Sequence, residues 1–317
     1  MKLKKNVLKT ILCIATLLIL TTSYICYSDE IKKDANLSSG SMKMNNIERN
    51  YLVYVPSKLN NKKKPPMVLC LHGFGQSAQE IIKMTGGKLN ELAERDGVVV
   101  VYPNAVANHW NDKMGGVYKA TDDVDDVGFL SALIDKCKQK YNIDPNRIYV
   151  MGISNGGEMT YRLSCEIPEK LKAVAPVISS MGVKSAKEYK KTKPLPILIM
   201  NGTSDPIVPW KGGEVNINGD VLSLVLSCDE NVLYWINRNG ASKKAEVKNL
   251  PDINKKDKSH ILTKTYRSNN GNDVILYEVV GGGHNLPSLF PASSNPDNPQ
   301  NMDIEGSEVI WNFFMSH

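Results

Sequence analysis

A chain of 317 residues with 42% hydrophobic and 23% charged residues is long enough for one large α/β core, and its composition excludes a disordered or fibrous polymer. The formal charge of +6 sits on scattered lysines with acids between them, not on a basic stripe interleaved with aromatics, so nucleic-acid binding has no support. No His/Cys spacing points to a metal, and no cofactor is expected.

Residues Lys2 to Lys9 are a positive segment, followed by an apolar run from Thr10 to Ile25. That run is shorter than the roughly 20 residues of a membrane span, and small residues follow at Ser23 and Ser28. The pattern predicts a secretory signal peptide over residues 1–28, hence an extracellular protein, or a periplasmic one if the source has an outer membrane. An anchor kept uncleaved is the alternative reading. No stable membrane partner is expected. Residues 29–45, rich in Ser, Lys and Asn, read as a flexible linker, and residues 46–317 as the folded domain. Export makes disulfides permissible for Cys70, Cys137, Cys165 and Cys228, with connectivity open. Cys70 lies in the apolar run Met67–Leu71 and reads as a buried thiol.

The folded part opens with a strand near Arg49–Pro56 and a fully buried one at Met67–Leu71. The second ends in His72-Gly73-Phe74-Gly75-Gln76, either an ordinary glycine turn or a loop that aims the Phe74 N–H at a developing oxyanion. A helix is expected over Ile81–Arg95 and a buried strand over Val98–Pro103. The loop beyond carries Trp110, able to stack on a substrate ring or to pack. The acidic run Asp122–Asp126 suits the N-terminus of a helix over Val127–Tyr141 better than calcium.

The central stretch is Ile148–Met151, a short buried strand, then Gly152-Ile153-Ser154-Asn155-Gly156, then a helical pattern. Strand, tight turn with glycine shoulders, and helix make a nucleophile elbow: Ser154 stands at its tip, and the Asn155 N–H opens the helix as a second oxyanion donor. Further strands are expected at Lys172–Ile178 and Leu195–Met200, the latter leading to Asp205 and to Trp210, another candidate ring platform. Glu214–Ser259 reads as a polar region with one helix over Asn231–Asn237. Val274–Val280 is the final strand, ending in Gly281-Gly282-Gly283-His284, and a helix over Ile304–Phe314 closes the chain.

Ser154, Asp205 and His284 each follow an apolar strand, in the order Ser…Asp…His. That order is the α/β-hydrolase one, and residues at the C-terminal ends of parallel strands share one edge. The expected architecture is therefore a mostly parallel central sheet flanked by helices on both faces. His72, His109, His260 and His317 fit the base role less well by position.

These motifs, from about Arg49 to Phe314, resemble secreted polyhydroxybutyrate depolymerase-like and feruloyl esterase-like proteins of the carbohydrate esterase type. The matching residues are Leu71-His72-Gly73-x-Gly75-Gln76, Val124-Asp125-Asp126-Val127-Gly128, Gly152-x-Ser154-Asn155-Gly156-Gly157, Gly202-Thr203-x-Asp205-Pro206 and Gly281-Gly282-Gly283-His284. The resemblance implies a serine carboxylesterase with Ser154, Asp205 and His284 as its triad. Its expected partner is an ester substrate linked to polysaccharide, with feruloyl or acetyl groups. Hydroxybutyrate oligomers, or peptides on the same fold, are the alternatives. Many relatives carry a Cys where Phe74 stands, paired to one near Gly240-Ala241, and Trp-Pro two residues after the histidine. Here the two cysteines are absent, and the corresponding residues are Leu286-Pro287.

Overall fold

The computed structural model describes residues 35–59, 63–113, 121, 123–189, 193–217, 219–290 and 295–317. The expected signal segment lies outside them. Ser39–His317 form one compact unit. Its first strands, β1 (Leu37–Met44) and β2 (Ile47–Tyr54), flank Asn45-Asn46, both at positive φ (47° and 64°). Two consecutive left-handed residues make the hairpin turn whose twist suits a β-ribbon, and Asn tolerates that conformation. Much of the expected linker is thus a strand, with Gly40, Met42 and Met44 turned to its less exposed side.

The runs β3 (Met67–Leu71), β4 (Val99–Pro103), β5 (Ile148–Ile153), β6 (Ala173–Val177) and β7 (Ile197–Gly202) are buried at every position. A strand buried on both faces needs helices on both faces, which crossover connections of a parallel sheet provide. With β8 (Gly213–Ile217) and β9 (Asp220–Val225) set apart as a two-stranded ribbon, the other ten strands form one sheet. Its order is β1-β2-β4-β3-β5-β6-β7-β12-β11-β10, where β10 is Glu246–Asn249, β11 His260–Tyr266 and β12 Val274–Val280. The six strands from β4 to β12 run parallel, and β2, β10 and β11 are antiparallel to their neighbours. This is the α/β-hydrolase architecture.

Alternate residues divide the core. Met67, Leu69, Leu71, Ile148, Val150, Val174, Ile197 and Ile199 pack with Phe129, Leu133, Leu163, Val232 and Trp235. These come from α3 (Asp126–Tyr141), α4 (Asn155–Glu166) and α6 (Cys228–Asn239), the last following the short α5 (Val183–Glu188). On the opposite face Tyr149 stacks on Phe314 of α7 (Gly306–Met315), ring centroids 5.0 Å apart. The single helix expected over Ile81–Arg95 is two, α1 (Ala78–Met84) and α2 (Lys88–Asp96), because Gly86 and Gly87 both adopt positive φ between them. Among the described residues no helix is long and apolar enough to cross a membrane, and no cluster of three His, Cys, Asp or Glu side chains is placed to hold a metal ion. Cys70, Cys137, Cys165 and Cys228 are all buried free thiols.

The acidic run before α3 divides its labour. Asp125 caps the helix, accepting from the Gly128 N–H at 2.8 Å. Asp126, expected to serve the helix terminus, is instead fully buried and paired with Arg49 at 2.5 Å, and the Arg49 guanidinium lies 3.9 Å from the Phe129 ring centroid. Burial pushes the Asp126 carboxyl above the usual carboxylate range, against the pull of Arg49 and of the Asn111 N–H. Arg49→Met is expected to cost about 3–5 kcal/mol at neutral pH, because a buried charge loses its partner. Without the arginine the folded-state pKa rises further above the unfolded one, so the native state holds the extra proton. The deficit is then smallest below about pH 4 and grows as pH rises towards 7, which urea melts across that range would read.

Candidate active site

The elbow is built by close packing. Ser154 has φ 55° and ψ −121°, a conformation L-residues avoid, and its N–H donates to the Val177 carbonyl at 2.9 Å. A Cβ on Gly152 would run into the Gly156 carbonyl, and one on Gly156 would lie 2.5 Å from the His72 carbonyl. The glycine shoulders are thus required by backbone packed on backbone. Asn155 is the first residue of α4, where an N–H has no partner within the helix and the helix dipole favours negative charge.

Asp205 and His284 meet. The carboxylate, almost wholly buried, bonds the His284 Nδ1 through Oδ2 at 2.7 Å. Its Oδ1 accepts from the N–H groups of Ile207 and Val208 at 2.8 and 2.9 Å, which fixes the carboxylate plane. Both residues follow neighbouring parallel strands, β7 and β12, tied beyond their ends by Thr203 N–H to Val279 carbonyl and Ser204 N–H to Gly282 carbonyl. Gly202 is required here, since a Cβ would meet the carbonyls of Gly282 and Gly283. The His284 loop is held from outside by a residue sequence reasoning missed. Asn298 Oδ1 accepts the His284 N–H at 2.5 Å, and the Pro299 carbonyl accepts the Gly283 N–H at 2.8 Å. Strands β5, β6, β7 and β12 are consecutive in the sheet, so Ser154, Asp205 and His284 leave the same edge.

The loop after β3 is a fixed object. Gly73 packs against the elbow, its Cβ position 3.5 Å from the Ser154 Cβ, and its N–H donates to Gln76 Oε1 at 3.0 Å. His72 Nε2 accepts the Ala105 N–H at 3.1 Å, leaving Nδ1 to donate to the Gly73 carbonyl at 2.8 Å. Burial pushes this imidazole down to about 4, so it is neutral at physiological pH and keeps that tautomer. The Gly75 N–H donates to the Asn108 carbonyl at 2.8 Å, and Phe74 stands edge-on to His109. These bonds hold a segment that, with Phe74 in place of the cysteine many relatives carry, no disulfide clamps.

Trp110 does not offer a platform. It is 0% exposed, ringed by the core, and its indole N–H donates to the His72 carbonyl at 3.0 Å. The expected ring-stacking role gives way to a packing one, because the indole braces the glycine loop from below. Trp210 is half-buried against the same core, with part of its surface open. The Asn155 side chain, which sequence reasoning gave no task, bonds the Trp110 backbone through both its oxygen (2.8 Å) and its nitrogen (3.2 Å). Among the other histidines, His109 bonds Thr121 at 2.8 Å, His260 lies in β11 and His317 bonds the Phe313 carbonyl at the C-terminus.

Fold and elbow together define an α/β-hydrolase, and comparison with known proteins places it more narrowly. The acetyl xylan esterase from Aspergillus awamori superposes with a TM-score of 0.56 at 15% identity, over 88% of this chain and 100% of that one, a likeness of fold. A family model described as esterase PHB depolymerase matches residues 49–209, and the chain belongs to that family. It is 30% identical over 71% of its length, and 67% of the relative's, to "Putative esterase NocK" of Nocardia uniformis subsp. tsuyamanensis. It is also 34% identical over 51% of its length to the bifunctional acetylxylan esterase/xylanase XynS20E of Neocallimastix patriciarum, of which it spans 22%. Feruloyl esterase B of Piromyces equi is 27% identical over 74% of this chain, which spans 42% of that enzyme. The protein is a carboxylic ester hydrolase.

Proposed function

We propose that the protein is a secreted serine esterase that cleaves feruloyl or acetyl esters of plant cell-wall polysaccharide through an acyl-enzyme. The observation that carries the mechanism is the 2.7 Å bond between Asp205 and the Nδ1 of His284, at the edge where Ser154 stands on its elbow. With Nδ1 held as donor, Nε2 is left unprotonated and able to take the Ser154 proton as Oγ attacks the ester carbonyl. Asp205 then stabilises the imidazolium. The N–H groups of Asn155 and Phe74 receive the oxyanion, His284 protonates the departing alcohol, and water activated by the same nitrogen releases the acid.

The substrate class rests on the relatives named for acetylxylan and feruloyl ester hydrolysis. The family description favours a second reading, hydroxybutyrate oligomers. Methyl ferulate, acetylated xylan, p-nitrophenyl acetate and hydroxybutyrate oligomers assayed side by side separate them. We expect the highest kcat/KM on one of the first two; preference for the oligomers would replace this reading with the second. Export is supported by the basic-then-apolar N-terminal segment, and N-terminal sequencing of the culture-medium protein, expected to begin at Asp29, tests it.

A further inference from the structure

Below the oxyanion helix lies a pair of carboxyl groups for which acyl transfer has no use. Glu158 sits one turn into α4, its N–H donating to the Ser154 carbonyl at 3.0 Å. Its side chain is buried, and its carboxyl shares a small cavity with that of Asp112 beside the Asn155 amide. Asn155 Nδ2 in turn donates to Asp112 Oδ2 at 2.6 Å. The two carboxyl groups line one cavity of about 10 Å³, room for at most a single water, walled by Tyr161, Arg162 and Met181. One amide side chain therefore ties together the serine's helix, the Trp110 loop that braces the glycine turn, and Asp112.

The surrounding charges are engaged with one another. Arg162, further along α4, donates Nε to Glu166 at 2.9 Å and Nη1 to the Asn111 carbonyl. Glu166 also receives Lys113 at 3.2 Å and the Tyr189 hydroxyl at 3.4 Å. The Asn111 N–H goes to Asp126, which pairs with Arg49. Tyr161 receives Asn231, and His109 approaches the Asn155 amide at 3.5 Å while bonding Thr121. Two carboxyl groups brought together in one small buried cavity repel unless a proton lies between them. Burial, and then the neighbouring Asp112 charge, push the Glu158 carboxyl well above the usual range.

We propose that Asp112 and Glu158 share one proton, and that this acid pair positions the oxyanion hole by clamping the 109–112 loop to α4 through Asn155. Loss of the proton at alkaline pH puts two like charges in contact, opens the clamp and lowers kcat while leaving KM little changed. Both groups are positioning residues, since neither touches the reacting atoms.

The test has two arms. Infrared spectra of the whole protein at neutral pH should show the C=O stretch of a protonated carboxyl that disappears in Glu158→Gln. This arm needs no substrate, so it fails or succeeds independently of the esterase mechanism on which the second arm rests. In the second, kcat/KM for p-nitrophenyl acetate is followed from about pH 6 to pH 10, with circular dichroism confirming the fold at each point. Wild type should lose activity on the alkaline side through kcat. Glu158→Gln and Asp112→Asn each keep a hydrogen bond without the shared proton, and should raise the ratio of alkaline to neutral activity by about tenfold or more over wild type. Glu158→Ala should lower kcat at every pH. If one amide variant fails to fold, the other carries the same comparison. An unchanged carboxyl band in Glu158→Gln, or an alkaline limb identical in wild type and the folded amide variants, overturns the proposal.

Discussion

Ser154→Ala is expected to lower kcat on p-nitrophenyl acetate by about 10⁶, with the melting temperature nearly unchanged. In the proposed mechanism this removes the attacking oxygen, and with it the acyl-enzyme, so that only the residual effect of the proposed oxyanion donors and of binding remains. Stability should survive because alanine keeps the Cβ against which Gly73 packs, and because the turn's constraints come from Gly152 and Gly156, not from the hydroxyl. Turnover close to wild type would remove Ser154 from the mechanism.

Asp205→Asn should lower kcat by about 10⁴, less than the serine variant, and for a reason specific to this loop. The Oδ1 of Asp205 accepts two backbone N–H groups, from Ile207 and Val208. An asparagine must keep its oxygen on those donors, which turns its NH₂ towards the Nδ1 of His284. Nδ1 then becomes the acceptor and Nε2 carries the proton, so the imidazole is held in the tautomer that cannot take a proton from serine. Asp205→Ala frees the ring but exposes two N–H groups, and should cost stability where the asparagine variant does not. A kcat for Asp205→Asn within tenfold of wild type would show that the acid does not set the tautomer.

The parallel core was legible because its strands are buried on both faces: Met67–Leu71, Val99–Val101 and Ile148–Met151 are unbroken apolar runs. The edges were not. β11, His260–Tyr266, sets only the pair Ile261-Leu262 before a polar Thr-Lys-Thr stretch, and β10 is exposed at every position, so neither carries the signal of a buried strand. β1 was lost in a polar segment for the same reason, although its Asn-Asn turn is a local cue. The site divides similarly. Ser154, Asp205 and His284 announce themselves by glycine and strand context, whereas Asn298, Gln76 and the Asn155 side chain act through contacts made by the fold. The sequence leaves Trp110 open between stacking and packing because a tryptophan in a polar loop looks exposed, and only the packing of that loop under the glycine turn buries it.

Ser154 is the proposed activated nucleophile, and labelling tests this directly. Incubation with a fluorophosphonate followed by peptide mass spectrometry should place a single stoichiometric adduct on Ser154, formed far more slowly in a His284→Ala variant. An adduct on another residue, or none on an enzyme still active towards p-nitrophenyl acetate, would contradict the account.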